Sequence, residues 1–263
     1  MKKGILSTMS EKQTNYTIME GYELPSHGKI YDQEVNPHIE LRSMTARDEM
    51  KRLSPSTTPL KTLSDIIEGC CIEKPAIHVY DMGLGDYEYL LHKLRIVTYG
   101  ENYKLNCRCS ECGEVTEATA KLGETELNEI DLDKYEELKA FTLPASGHNI
   151  VLKNQTPHLL ETIEAKTKEM NRKYKNAGLD FETYAKLICS IDSVNGNKLN
   201  QLDLEHLISG LAAKDMQKIL NNIDAISRAF GLDTNIYVTC AKCGAEIKTF
   251  FRYGPDFFRP TEI

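Results

Sequence analysis

Two short knuckles, Cys109-Ser-Glu-Cys112-Gly113 and Cys240-Ala-Lys-Cys243-Gly244, are separated by 127 residues, and each follows an apolar/polar alternation that reads as a β-strand. Two residues between cysteines let both thiolates of one tight turn reach the same ion, and the glycine that follows supplies the backbone freedom of the knuckle. One such turn is half of a four-thiolate shell. The pair predicts a single zinc ribbon split between distant parts of the chain, with a structural Zn2+ held by Cys109, Cys112, Cys240 and Cys243. A lone CxxC would serve equally as a redox pair; the second copy, with its own glycine and strand, favours the metal. Closing the intervening loop costs roughly 4 kcal/mol, whereas a structural zinc contributes on the order of 10 kcal/mol or more, so the ion can staple the chain. Four thiolates also leave no open coordination position, which points to architecture and away from hydrolysis.

The other four cysteines need no metal. Aligning the knuckles sets Cys107 opposite Val238, two residues before the first ligand and on the same strand face, where a small apolar side chain is wanted. Cys70, Cys71 and Cys189 sit in apolar helical surroundings and read as small hydrophobes. Eight cysteines and an N-terminal hydrophobic run that ends at Ser7 and Thr8 suit a reducing cytoplasm. No apolar stretch is long enough for a membrane span. With 32 basic against 39 acidic residues the net charge is −7, which opposes the counterion-releasing attraction of most nucleic-acid binders.

The fold class expected is α+β: a small mixed N-terminal region, the split four-cysteine ribbon, and a helical insertion between the ribbon halves. The boundaries read as a flexible arm over 1–20, an N-terminal region with the first ribbon half over 21–147, the insertion over 148–233, and the second half with an aromatic tail over 234–263. Helices are predicted over 46–53 (capped by Thr45 and Asp48), 60–71, 85–97, 157–176, 181–190, 203–211 and 214–230, the last closed by Gly231. The acidic stretch 124–137 reads as a solvated connection, and Asn195-Gly196 as a tight turn.

Candidate chemistry elsewhere is thin. The seven histidines form no HExxH pair, no GxSxG elbow is present, Gly83-Leu84-Gly85-Asp86 lacks a phosphate-loop ending, and Val194 stands where a calcium loop needs oxygen. The C-terminus carries more signal: four of the seven phenylalanines fall in the last 14 residues. Ile247, Thr249 and Phe251 share one face of the last strand, leaving Phe250 on the other. Phe257 and Phe258 either fold over the core or, with Arg259, anchor a partner; the aromatic-plus-arginine composition makes these three the expected partner-binding residues.

The order Leu24-Pro25-Ser26-x-Gly28-x-x-Tyr31, Leu41-Arg42-Ser43-Met44-Thr45, Leu94-Arg95-x-x-x-Tyr99-Gly100, a CxxCG knuckle, and a terminal knuckle followed by Phe257-Phe258-Arg259-Pro260 resembles the T4-type bacteriophage baseplate hub assembly family. The resemblance covers residues 21–122 and the final 30, and is weaker across the insertion. It implies a virion or tail-assembly component without catalysis, assembled in the host cytoplasm, with baseplate hub, tail-tube or tape-measure proteins as partners. The rival readings are a cytoplasmic zinc-ribbon regulator of nucleic acid and a tape-measure assembly chaperone.

Overall fold

The computed structural model describes residues 18–175, 178–251, 253 and 255–258. In chain order the elements are β1 (Met19–Glu23), β2 (His38–Arg42), α1 (Ala46–Leu53), α2 (Pro59–Cys70), α3 (Leu84–Tyr99), β3 (Asn102–Arg108), β4 (Val115–Lys121), β5 (Leu127–Asn128), α4 (Leu132–Lys139), β6 (Ala140–Thr142), β7 (Asn149–Leu152), α5 (Pro157–Lys173), α6 (Phe181–Ser190), β8 (Ile191–Val194), α7 (Gln201–Gly210), α8 (Ala213–Ile226), β9 (Gly231–Leu232), β10 (Asn235–Thr239) and β11 (Glu246–Phe250). The class is α+β. Helices outweigh strands, and the strands form small antiparallel sheets: β1-β2, β3-β4, β5-β9, β10-β11 and β6-β7-β8. Residues 1–17 of the expected arm lie outside the described residues, while Met19 and Glu20 belong to β1.

Helix ends follow local chemistry. Thr45 and Asp48 form the reciprocal capping box of α1, and Asp48 also takes Arg42 at 2.9 Å. Thr156 caps α5 with Pro157 in its first turn, Asp180 caps α6, and Asn200 caps α7. Asn195 (φ 52°) and Gly196 (φ 78°) are both left-handed, and Val194 and Asn197 exchange backbone hydrogen bonds around them.

Two expectations change. The stretch 124–137 is not merely a solvated connection: it contains β5 and most of α4, and Tyr135 of α4 is buried with its hydroxyl donating to Asn154 Oδ1 at 3.1 Å. Leu132 and Leu138 pack beside it at three-residue spacing, a stripe that two turns are too short to make plain within an acidic run. Gly231 does not close α8, which ends at Ile226; with φ 105° it lies in β9, where a Cβ would sit 2.8 Å from Gly85 Cα. Gly85 is equally constrained, since a Cβ there would come within 2.6 Å of the Phe230 ring. The two glycines let β9 lie directly on the first turn of α3.

The apolar interior falls into separate clusters. One gathers Leu24, Leu41, Ile67, Leu90, Leu91 and Leu94 around α3 and reaches Phe251, Phe257 and Phe258 at the far end of the sequence. A second joins Tyr135, Leu152, Leu187, Ile219, Ile223 and Phe230 with Ile30. Buried polar groups tie these regions and α5 together. Glu161 of α5 accepts from Leu60 N at the start of α2 and from the Tyr80 hydroxyl, both at 2.6 Å. Asp86 accepts from Ser26 N, Ser26 Oγ and Tyr31 Oη. Gly28 (φ 72°) makes the turn between Ser26 and Tyr31, where a Cβ would strike the Val35 carbonyl at 2.3 Å. The Leu-Pro-Ser-x-Gly-x-x-Tyr run is thus a loop shaped to satisfy one buried carboxylate.

Candidate metal centre

The two hairpins are built alike. β3 pairs with β4 in the register Cys107↔Thr116 and Arg108↔Val115, and β10 pairs with β11 in the register Val238↔Ile247 and Thr239↔Glu246. In the first knuckle Cys109 N donates to Glu114 O at 2.8 Å and Gly113 N to Cys109 O at 3.0 Å. In the second, Cys240 N donates to Ala245 O at 2.8 Å and Gly244 N to Cys240 O at 3.0 Å. Gly113 and Gly244 share φ 74°. The same local sequence has produced the same turn twice, 131 positions apart by the numbering of those glycines.

Their tips meet. Cys109 Sγ lies 3.7 Å from Cys243 Sγ and Cys112 Sγ 3.6 Å from Cys240 Sγ, and all four sulfurs are within 4.8 Å of one another. A tetrahedral thiolate shell with metal–sulfur bonds of about 2.3 Å has edges of about 3.8 Å, so the donor set has the size and chemistry of a metal-binding cluster. Cys109 and Cys240 are buried while Cys243 is exposed, which puts the cluster at the molecular surface. Thr116 Oγ1 accepts from Ala241 N at 3.2 Å and approaches Cys240 Sγ at 3.9 Å, and Lys242 pairs with Glu114 at 3.4 Å, so each knuckle also touches the other directly. Backbone amides of Cys243 and Lys242 aimed at Cys240 draw its thiol down to about 6. Cys107 stands apart from the cluster, buried with Val238 and Ile247 between the hairpins. Cys70 is buried in the α3 core and Cys189 is half-buried against Leu159, Ile163 and Ala185. Among the described residues the four knuckle cysteines are the one such group.

The aromatic tail requires a correction. Phe257 and Phe258 are 0% and 1% exposed, in a single 3-10 turn, Pro255–Phe258, laid against α3. Phe257 packs on His92, Tyr103, Phe251 and Tyr253, and Arg52 lies over the Phe258 ring. Rings with no accessible surface cannot anchor a partner, so the partner-binding expectation fails for both. Both rings instead complete the apolar cluster around α3, together with Phe251. Arg259 lies outside the described residues. Phe250 is the aromatic that faces outward, 53% exposed.

A second fastening, unforeseen from the sequence, closes the base of the ribbon. Arg95, fully buried on α3, donates Nη1 to Gly100 O at 2.9 Å and Nη2 to Asn102 O at 3.4 Å, where the first ribbon half begins, and Nε to Phe257 O at 3.3 Å, past the end of the second. Beside it His92 Nε2 donates to Leu122 O at 2.9 Å, so Nδ1 accepts from Tyr253 Oη at 3.1 Å. Burial, offset in part by the Leu122 carbonyl, pulls His92 down to about 4 and keeps the ring neutral. The one available signal was an arginine and a histidine within the apolar stripe of a helix ending in Tyr99-Gly100.

The class defined by this geometry is an α+β protein whose distant ribbon halves are pinned by a surface cluster of four thiols and by a buried arginine. The chain matches the family model described as T4 bacteriophage base plate protein over residues 17–259, nearly its whole length, and belongs to that family. No curated protein and no solved structure gives a match. Membership places other phage structural proteins among its partners and the virion tail as its setting. No helix among the described residues is long and apolar enough to cross a membrane.

Proposed function

We propose that this chain is a non-enzymatic structural and assembly component of the baseplate hub, with one structural Zn2+ held by Cys109, Cys112, Cys240 and Cys243. The observation that carries the metal is the set of sulfur separations, 3.6 and 3.7 Å across the knuckles, in a four-thiol shell with no position left for water or substrate. Four soft donors in this arrangement suit zinc, and a bound ion would neutralise the thiolates and hold them at fixed distances. The protein's own contribution is preorganisation: two glycine knuckles aim the sulfurs, and knuckle amides favour the thiolate of Cys240. Baseplate-family membership supports partners among hub, tail-tube or tape-measure proteins, assembly in the host cytoplasm, and retention in the finished virion.

The experiment is elemental analysis of the purified chain together with mass spectrometry of purified virions. One zinc per chain and a stoichiometric signal in virions are expected. Iron in place of zinc, or no metal, overturns the zinc assignment; presence in tail intermediates but absence from virions would make the chain an assembly chaperone. Salt-dependent DNA or RNA binding would favour the regulator reading instead.

A further inference from the structure

The two-stranded sheet β1-β2 has edges with different fates. Ser43 N donates to Ile18 O at 2.9 Å and Leu24 N to Pro37 O at 2.8 Å. Together with the register Met19↔Arg42, Gly21↔Glu40 and Glu23↔His38, these bonds make the even-numbered residues of β1 the ones that exchange hydrogen bonds with β2, because antiparallel pairs alternate. The N–H and C=O groups of Met19, Gly21 and Glu23 therefore point away from β2. On the outer side of β2 the equivalent groups are used: Ile72 N donates to Glu40 O at 2.9 Å and Cys71 bridges Leu41. On the outer side of β1 no hydrogen bond among the described residues reaches the main chain of Met19, Gly21 or Glu23.

Proteins ordinarily cover or blunt such an edge, because it is a template for another strand. Here it is flanked by apolar surface, with Ile18 and Met19 57% and 52% exposed. Its charge is one-sided. Glu20 and Glu40 make no ion pair among the described residues, and Glu23 pairs only with His27 at 3.0 Å. Of the neighbouring cations, Arg42 is committed to Asp48 at 2.9 Å, and Lys93, near enough to feel Glu20, is drawn over the rings of Tyr22 and Tyr89, which leaves three carboxylates against one such cation.

We propose that the free edge of β1 accepts an extended, Lys/Arg-bearing segment of another tail protein as a third strand. The outward main-chain groups of Met19, Gly21 and Glu23 supply the ladder, and Glu20, Glu23 and Glu40 select for cationic side chains. This deepens the baseplate reading and rests on it.

The test compares tail assemblies carrying the wild-type chain, Met19→Pro, or the double variant Glu20→Lys/Glu40→Lys. Proline is tolerated at an edge position whose N–H faces outward, so the first variant removes one ladder donor while sparing the fold, as zinc content and melting temperature close to wild type would confirm. Incorporation of each variant is expected to fall about tenfold or more. Amide exchange of Met19, Gly21 and Glu23 is expected to be fast in the isolated full chain and at least about 100-fold slower in tails. A photo-crosslinker at Met19 should capture a Lys/Arg-bearing stretch. Fast exchange in both states, equal incorporation of all three chains, or capture of an acidic stretch overturns the proposal. So does protection already present in the isolated chain, whether it disappears on deleting residues 1–17 or on dilution; the edge would then be filled by the chain's own N-terminus or by a second copy. Absence of the wild-type chain from tails would overturn the parent reading itself.

Discussion

Among the described residues, three of the five buried positions in the ribbon's apolar cluster are cysteines, leaving Val238 and Ile247 as the aliphatic core, whereas the cluster around α3 gathers eighteen buried residues including Phe251, Phe257 and Phe258. Burying one Val or Ile contributes about 1.5–3 kcal/mol, so the two aliphatic residues of the ribbon do little more than match the roughly 4 kcal/mol cost of closing its connecting loop. The α3 core has no such shortage. A region too thin to hold itself needs a cross-link, while a thick one needs only shape, and this chain joins them by running the last ribbon strand into the thick core. The ribbon halves consequently meet at the tip through four thiols, which the proposed Zn2+ would cross-link, and are fastened at the base by Arg95 and two phenylalanines.

The hardest blow to that contrast is Cys109→Ser or Cys240→Ser. Each should abolish the bound metal and lower the melting temperature by roughly 10 °C or more, read by elemental analysis and calorimetry. A ribbon whose melting is unmoved by metal loss would mean that the base alone suffices. Next comes Phe257→Ala, which should cost about 3–5 kcal/mol in denaturant unfolding while leaving one metal per chain. Loss of metal in that variant would show that tip and base are one cooperative unit.

A pH series separates the regions further. Burial pushes the Glu88 carboxyl on α3 up to about 7, above its ordinary value, so the folded state holds that proton more tightly than the unfolded chain. Its stabilising contribution is full below about pH 4.5 and is lost as pH rises through about 7, an effect on the order of 1–3 kcal/mol. Glu88→Gln should flatten stability across pH 5–8; an unchanged slope would assign the titration elsewhere. The smallest effect expected is that of Cys107→Val, which should keep the metal and shift stability by less than about 1.5 kcal/mol, since a small apolar side chain replaces another in the ribbon core. Equal metal loss in that variant would make Cys107 a participant in the cluster.

The four-cysteine cluster was readable without coordinates because its information is local and repeated: two CxxCG turns, each requiring left-handed glycine, each preceded by an alternating strand. Helix α1 was equally plain, since Thr45 and Asp48 satisfy its first turn whatever surrounds it. Where a residue's role depends on a neighbour far along the chain, local pattern was silent. Gly85 and Gly231 are glycines because they meet each other across 146 positions by their numbering, and Asp86 is tolerated in a core because Ser26 and Tyr31 come to it. Phe257 and Phe258 carried composition typical of an interface, and their sequence held no sign of the distant α3 cluster that they complete. The chain's sequence by itself determined the turns, the caps, the split ribbon and the baseplate family. Tertiary structure decided which aromatics are core, which carboxylates are satisfied and which strand edge has no partner among the described residues, because burial and hydrogen-bond satisfaction are properties of pairs brought together by folding.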